Sequence, residues 1–347
     1  MSDIPSPKSQ GFSMPAEWAP HAATWLSWPN ERGATFPGDR LPPILPYFHR
    51  LVTALVEAGE TVIINLSDEA EGNAIDAALP KDVLSWVRLQ KIPTNEPWCR
   101  DHGPTVLRRD ADGARLAVCW NYNSWGEKYP PWDLDAAANR QMATLANIEF
   151  HDRRDLTIEG GSLESNGAGV LMVSESSVVT DSRNPGMSRD ELARELCENT
   201  GSDEVLWVNA DVEGDDTDGH VDCFARFAPD NRLLVLDPNE SQKSRYASLA
   251  ANAEHLRGVA ADRGWEFIGL PIPEPVVLEG AVMPATYANF YIGNEAVIAP
   301  SFGDPCDSEA AEKLASAFPD RKLIILPARE LIWGQGGFHC LTQQLPA

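Results

Sequence analysis

One pattern comes round four times in this chain: an apolar strand, a turn on Asn, Asp or Gly, a second strand, a helix and a closing strand. The turns fall at Asp112-Gly113, Asn166-Gly167, Asp230-Asn231 and Gly293-Asn294. Apolar runs follow at 115–120, 170–173, 233–236 and 296–299, then helix candidates at 134–146, 188–199, 244–262 and 308–317. The second and fourth helices open on a serine cap, Ser188 and Ser308, with an acidic first turn. Closing strands are expected at 148–150, 205–208, 266–270 and 323–326, so the unit recurs at intervals of about sixty residues. Ahead of these units lie a strand at 22–28, a helix at 43–58 and a strand at 61–66, a unit short of one strand that residues 339–343 can supply. Repeats that each expose an apolar face must stack or close, and a ring joined by strands from both termini leaves no free edge. The expectation is an α/β fold in one domain over residues 1–347, a five-fold ring of ββαβ units, with residues 1–13 a loosely ordered arm. A two-domain α/β protein is the competing arrangement, but no Pro/Ser-rich linker divides the chain.

Charge narrows what such a ring can bind. With 52 Asp and Glu against 28 Lys and Arg the net charge is -24, which argues against nucleic acid and anionic membrane surfaces and favours small cations. No apolar run is long enough to cross a membrane, and the opening Met1-Ser2-Asp3-Ile4-Pro5 lacks the basic start and apolar run of a secretion signal, so the cytoplasm is the expected address. The six cysteines are spread singly, without C-x-x-C pairs, and read as reduced thiols.

Chemistry-bearing residues recur at one place in the repeat. Asp101 lies just before the first hairpin, Glu159 before the second, His220 and Asp222 before the third, Asn289 before the fourth and Cys340 in the fifth equivalent. Ring closure would bring them together near the axis. Cys340 follows Trp333-Gly334-Gln335-Gly336-Gly337-Phe338-His339, a glycine-rich, aromatic-flanked approach that reads as backbone pressed against something and marks Cys340 as a nucleophile. Arg100-Asp101 reads as an ion-pairing step, Glu159-Gly160-Gly161 sets a carboxylate where backbone can approach a ligand, and Gly219-His220-Val221-Asp222 puts His220 and Asp222 on one strand face. Taken singly, each has a structural alternative: an ion pair, an acidic turn residue, a core histidine.

Together these segments resemble the agmatine deiminase family, related to bacterial peptidylarginine deiminases within the guanidine-modifying enzymes. The resemblance rests on Trp98-x-Arg100-Asp101-x-Gly103-Pro104, Glu159-Gly160-Gly161, Gly219-His220-x-Asp222, Tyr287-x-Asn289-Phe290-Tyr291, Phe302-Gly303-Asp304 and His339-Cys340-x-Thr342-Gln343-Gln344, in family order from about Pro15 to Pro346. It implies a pentein-type five-bladed α/β propeller that hydrolyses a guanidinium to a ureido group with release of ammonia, without metal or organic cofactor. It implies catalytic roles for Cys340, His220, Glu159, Asp101 and Asp222: the two aspartates hold the guanidinium across the path of the Cys340 thiolate, while His220 and Glu159 handle protons. Agmatine as substrate would place the enzyme in putrescine synthesis.

The far end of the substrate rests on fewer residues. Asp216, with Asp215 beside it, is the candidate partner of an amine; Trp98 and Trp125, in the Asn123-Ser124-Trp125-Gly126 loop, would wall the aliphatic stem, with Gly337 and Asn289 also expected to contact substrate. Two departures from the family pattern, Asn95-Glu96-Pro97-Trp98 and Gly334-Gln335-Gly336-Gly337, leave peptidylarginine or another alkylguanidine open. Outside this class stand a non-catalytic binding protein on the same fold and a metallohydrolase, for which no zinc-ligand spacing is present. A homodimer is left open.

Overall fold

The helix Arg189–Thr200 shows how local chemistry sets the elements. The Ser188 hydroxyl accepts from the amide of Glu191 while the Glu191 carboxylate accepts from the amide of Ser188, and Gly201, at φ 72°, ends the helix in the left-handed conformation that glycine adopts without strain. Its buried Leu192 and Leu196 lie one turn apart and pack into a cluster with Leu171 and Val173 of the neighbouring sheet. The other expected helices form at Leu41–Glu57, Asp133–Leu145, Ala247–Arg263 and Asp307–Ala317. The last does not start on Ser308: Cys306 precedes it, and the Asp307 carboxylate accepts from the amides of Phe302, Gly303 and Asp304, fixing the preceding turn.

The computed structural model describes residues 5–347, a mixed α/β fold in which five sheets share one pattern. An antiparallel pair comes first, and its second strand pairs in parallel with a third reached through a crossover long enough to hold a helix. The antiparallel pairs are Thr105–Arg109 with Arg115–Asn121, Leu163–Ser165 with Val170–Ser174, Ala225–Ala228 with Arg232–Leu236, and Tyr291–Ile292 with Ala296–Ser301. Their parallel partners are Glu149–Thr157, Glu204–Val208, Glu266–Leu270 and Lys322–Pro327. In the fifth sheet Thr342–Pro346 runs antiparallel to His21–Ser27, which pairs in parallel with Val62–Leu66. The inner strand Val62–Leu66 is buried at every position, as a strand covered on both faces must be.

Four features depart from the expectation. A further strand, Val87–Lys91, extends the fifth sheet beyond Val62–Leu66. A separate hairpin, Val276–Leu278 with Ala281–Met283, stands between the third and fourth units. The closing strand begins at Thr342, because residues Phe338–Leu341 form a helical turn. The arm expected over 1–13 is ordered from Lys8 onward: Lys8–Gln10 make a short helical turn, and Phe12 and Ser13 pair with Arg109 and Arg108, with Phe12 buried. Residues 1–4 lie outside the described part. Among the described residues no helix is long and apolar enough to cross a membrane.

Candidate active site

Each of the five sheets delivers a polar residue from just ahead of its first strand. Asp101 sits in the turn Cys99–His102, Glu159 before Gly160–Ser162, His220 and Asp222 around the turn Val221–Cys223, Asn289 before Tyr291, and Cys340 in Phe338–Leu341. His220 and Asp222 therefore do not share a strand face. The tight turn at Val221–Cys223 aims both at one point, which Gly161 reveals: a β-carbon there would lie 2.5 Å from His220 Nδ1, 2.8 Å from Asp101 Oδ1 and 3.1 Å from Asp222 Oδ2. Gly161 is the position where only hydrogen fits, and its amide donates to Asp101 Oδ1 at 2.9 Å.

Around that point the groups are linked. Asp101 Oδ2 accepts from Trp125 Nε1 at 2.9 Å. His220 stands between two carboxylates, with Nδ1 3.6 Å from Asp101 and Nε2 3.5 Å from Glu159. The Cys340 sulfur lies 3.7 Å from Asp222 Oδ2 and accepts from Asn289 Nδ2 at 3.1 Å. Asn289 Oδ1 in turn accepts from the amides of His339 and Cys340, at 3.1 and 3.3 Å, so one carboxamide fixes both the backbone and the sulfur of Cys340. A β-carbon at Gly337 would come within 2.6 Å of that oxygen. Gly337 and Asn289, expected to touch substrate, pack against each other and hold Cys340; neither lines the cavity.

Burial and charge set the protonation states. His220 is raised to about 9: burial alone would lower it, but the charges of Asp101, Glu159 and Asp222 outweigh that. Burial would raise Asp222, yet the hydrogen bond from His339 and the charges of His339, His220 and Arg226 bring it down to about 2. Asp101 is raised, chiefly by burial, in spite of the His220 charge. For Cys340 a hydrogen bond from the Cys223 thiol pulls the value down, but burial and the charges of Asp222 and Asp101 prevail and push the thiol up.

Cys340 and Asp101 reach the floor of a cavity of ≈ 370 Å³, walled by Trp98, Trp125 and the hairpin residues Leu278 and Met283. His220, Glu159 and Asp222 have no exposed surface and lie beneath that floor. Trp125 is held in place by an unusual turn: Ser124, Trp125, Gly126 and Glu127 all have positive φ, and the Asn123 side chain accepts from the Gly126 amide. Asp216 lines the same cavity, and burial together with Asp215 raises it to about 6 even though Tyr129 donates to it at 2.5 Å. Asp215 itself is turned to Thr217 and the Gly219 amide.

Several positioning residues escaped the sequence. Arg183 donates to Glu159 Oε1 at 3.1 Å and to the Thr217 carbonyl, tying Glu159 to the loop that carries His220; it lies in an irregular stretch with no periodicity to mark it. Arg100 does not pair with Asp101. Adjacent residues of a helical turn diverge, and Arg100 reaches instead to Glu17 and Gln344. His339 bridges Asp222 and Glu17, each at 2.6 Å, and Glu17 is also paired with Arg226. The only prior signal for His339 was its place beside Cys340.

The sequence matches the family described as Porphyromonas-type peptidyl-arginine deiminase over residues 13–346. Agmatine deiminase of Ectopseudomonas mendocina is 32% identical over 366 residues, covering 99% of this chain and 97% of that one. The solved agmatine deiminase of Enterococcus faecalis superposes with a TM-score of 0.90 at 26% identity, covering 99% of this chain and 98% of that one. A dimethylarginine dimethylaminohydrolase structure, 14% identical over 94% of this chain and 100% of that one, shares the fold with a TM-score of 0.53. Matched almost end to end, the chain belongs to the Porphyromonas-type peptidyl-arginine deiminase family.

Proposed function

We propose that this protein hydrolyses agmatine to N-carbamoylputrescine and ammonia through a covalent amidino-cysteine intermediate. The observation that carries this is the pairing, in one cavity, of the Cys340 and Asp101 floor with the Asp216 carboxylate on the wall. A guanidinium at one end and an ammonium at the other match those two acidic ends, and the apolar Trp98 and Trp125 faces suit the methylene stem between them. The named activity of the relatives supports the same reading.

In this mechanism the side chains at the floor part as substrate seats, which opens the buried Asp222 and His220 to it, and Asp101 and Asp222 fix the guanidinium plane over the Cys340 sulfur. The arriving cation offsets the two carboxylate charges that hold the Cys340 thiol up, so the thiol loses its proton to solvent as substrate seats. The thiolate attacks the guanidinium carbon, giving a tetrahedral adduct. His220, which enters charged at neutral pH, gives its proton to the departing amino group, and ammonia leaves as the amidino-thioether forms. Now neutral, His220 takes a proton from water while Glu159 holds the ring; hydroxide adds to the same carbon, the C–S bond breaks as the new hydroxyl gives up its proton to solvent, and the ureido product leaves with the thiolate restored. Around this centre the five sheets stand as the blades of a five-fold propeller, a reading supported by their common strand pattern and by the equivalent origin of the five site residues.

The test is ammonia release from agmatine, arginine, methylated arginines and an arginine peptide, by wild type and Cys340→Ala side by side. Turnover of agmatine that the variant loses is the expected result. Preference for an arginine peptide would move the substrate, and activity in Cys340→Ala would overturn the covalent mechanism.

A further inference from the structure

His339 precedes Cys340 in the chain, but its ring is committed elsewhere. Consecutive residues of a helical turn point about 100° apart, and within Phe338–Leu341 Cys340 reaches the cavity while the buried His339 does not. Its Nδ1 lies 2.6 Å from Asp222 Oδ2 and its Nε2 2.6 Å from Glu17 Oε2. Neither nitrogen is left to take a proton from the thiol beside it. Burial would raise both carboxylates, yet Asp222 is held at about 2 by the hydrogen bond from His339, and Glu17 well below its usual range by the charges of Arg226 and His339. An ionised carboxylate only accepts, so both ring nitrogens donate.

The Asp222 oxygen that His339 engages is the one that faces the Cys340 sulfur, at 3.7 Å. The other oxygen meets the weak thiol donor of Cys223 at 3.5 Å. At the far end of the ring, Glu17 is anchored: Oε2 is met by Arg226 at 2.9 Å and by Arg100 at 3.4 Å, and Oε1 accepts from the Ile292 amide at 2.7 Å. None of Glu17, Arg100 and Arg226 lines the cavity. Resting on the reading of the site as one for a guanidinium, we propose that His339 is a positioning residue: it holds Asp222 in the orientation that receives the guanidinium, and Glu17 holds His339. A buried carboxylate without that donor turns to another partner or takes up a proton, and either loses the paired hydrogen bonds to a planar cation. Asp222 keeps acceptor sites for the substrate, since a carboxylate has about four.

The experiment places His339→Asn and His339→Gln separately in a Cys340→Ser protein, which lacks the thiol, and titrates agmatine and n-butylguanidine into each by calorimetry. The Asn amide nitrogen takes the place of Nδ1 and keeps the donor to Asp222; the Gln amide nitrogen takes the place of Nε2 and keeps only the contact with Glu17. Both variants lose the ring and stay polar, so they differ in which carboxylate is still met. His339→Gln should weaken both ligands roughly 10-fold more than His339→Asn does, the weight of one hydrogen bond to a charged group. Equal affinities in the two variants, with Tm lowered in both, would report a purely structural His339 and overturn the proposal. A larger loss in His339→Asn overturns it too, because the Glu17 contact would then matter more than the one to Asp222. Should His339→Gln fail to fold, His339→Asn decides alone: it is expected within about 10-fold of the Cys340→Ser parent, and a greater loss overturns the proposal. Agmatine turnover by wild type is the separate check on the function: binding of n-butylguanidine without turnover of agmatine removes the substrate assignment, while the titrations still decide the role of His339. A Cys340→Ser protein that binds neither guanidine overturns both.

Discussion

Two of the buried histidines in this molecule each face a carboxylate, and they behave in opposite ways. His102 Nε2 meets Ser27 Oγ at 2.8 Å, and its Nδ1 faces Asp135 at 3.8 Å, a Ser-His-Asp order that resembles a catalytic triad. Burial holds His102 down at about 3, and Asp135 is itself raised well above its usual range by burial. His220 is just as buried but has Asp101, Glu159 and Asp222 around it and is raised to about 9. One carboxylate 3.8 Å away does not offset the desolvation of an imidazolium; three do. None of Ser27, His102 and Asp135 lines the cavity that holds Cys340. A residue triad by itself therefore identifies no active site, and charge balance together with access separates the two clusters.

Loss of catalytic groups should separate the clusters most strongly. Cys340→Ala should lower kcat by about 10⁴-fold or more and His220→Asn by roughly 10²–10⁴. His102→Asn should leave kcat within a few-fold and instead lower unfolding stability by about 1–3 kcal/mol, from the hydrogen-bonding groups left unpaired. Denaturant melts and steady-state rates on the same samples decide this; a His102 variant that loses turnover without losing stability would break the contrast. Gly161→Ala comes next. Its new methyl meets His220, Asp101 and Asp222, so kcat should fall by at least about 10-fold while the protein still folds, because displaced reacting groups lose rate far faster than they lose packing.

The pH profile sharpens the contrast further. His220 must carry its proton to act as an acid, so kcat should fall as pH rises through about 9. Asp216 must be ionised to bind an ammonium, and being raised to about 6 it is neutral below that value; kcat/KM for agmatine should fall as pH drops through about 6. Asp216→Asn should abolish the acid limb and raise KM, leaving the alkaline limb in place. The smallest effect is expected at Cys223. Its thiol hydrogen bond pulls Cys340 down, so Cys223→Ala should shift the alkylation profile of Cys340 to higher pH, read by mass spectrometry of the labelled peptide. A shift to lower pH would assign the Cys223 thiol the opposite influence.

Much of the site could be read in advance because the repeat does the aligning. Once the turns at 112, 166, 231 and 294 are matched, Asp101, Glu159, His220 and Asp222 fall at one place in the unit, and the closing strand Glu266–Leu270 forms over the span the sequence predicts. What stayed hidden lacks periodicity. Val87–Lys91 is an edge strand whose apolar and polar residues alternate only over Val87-Arg88-Leu89-Gln90, too short a run to stand out. Arg183 and Tyr129 act from irregular loops, and their partners Glu159 and Asp216 are distant in sequence. The hairpin Val276–Met283 interrupts the repeat and supplies part of the cavity wall, and its strands are too short to register as a pattern.

The pairing of Thr342–Pro346 with His21–Ser27 has a consequence for the order in which the protein becomes itself. During synthesis His21–Ser27 must wait, with one edge unpaired, until the four units that separate it from Thr342–Pro346 have been made. Cys340, the proposed nucleophile, arrives with that same segment, on the turn that leads into the closing strand. Nascent forms thus lack both a finished sheet and a reactive thiol, and the exposed edge of His21–Ser27 is where they would be most prone to associate with one another or to require a chaperone.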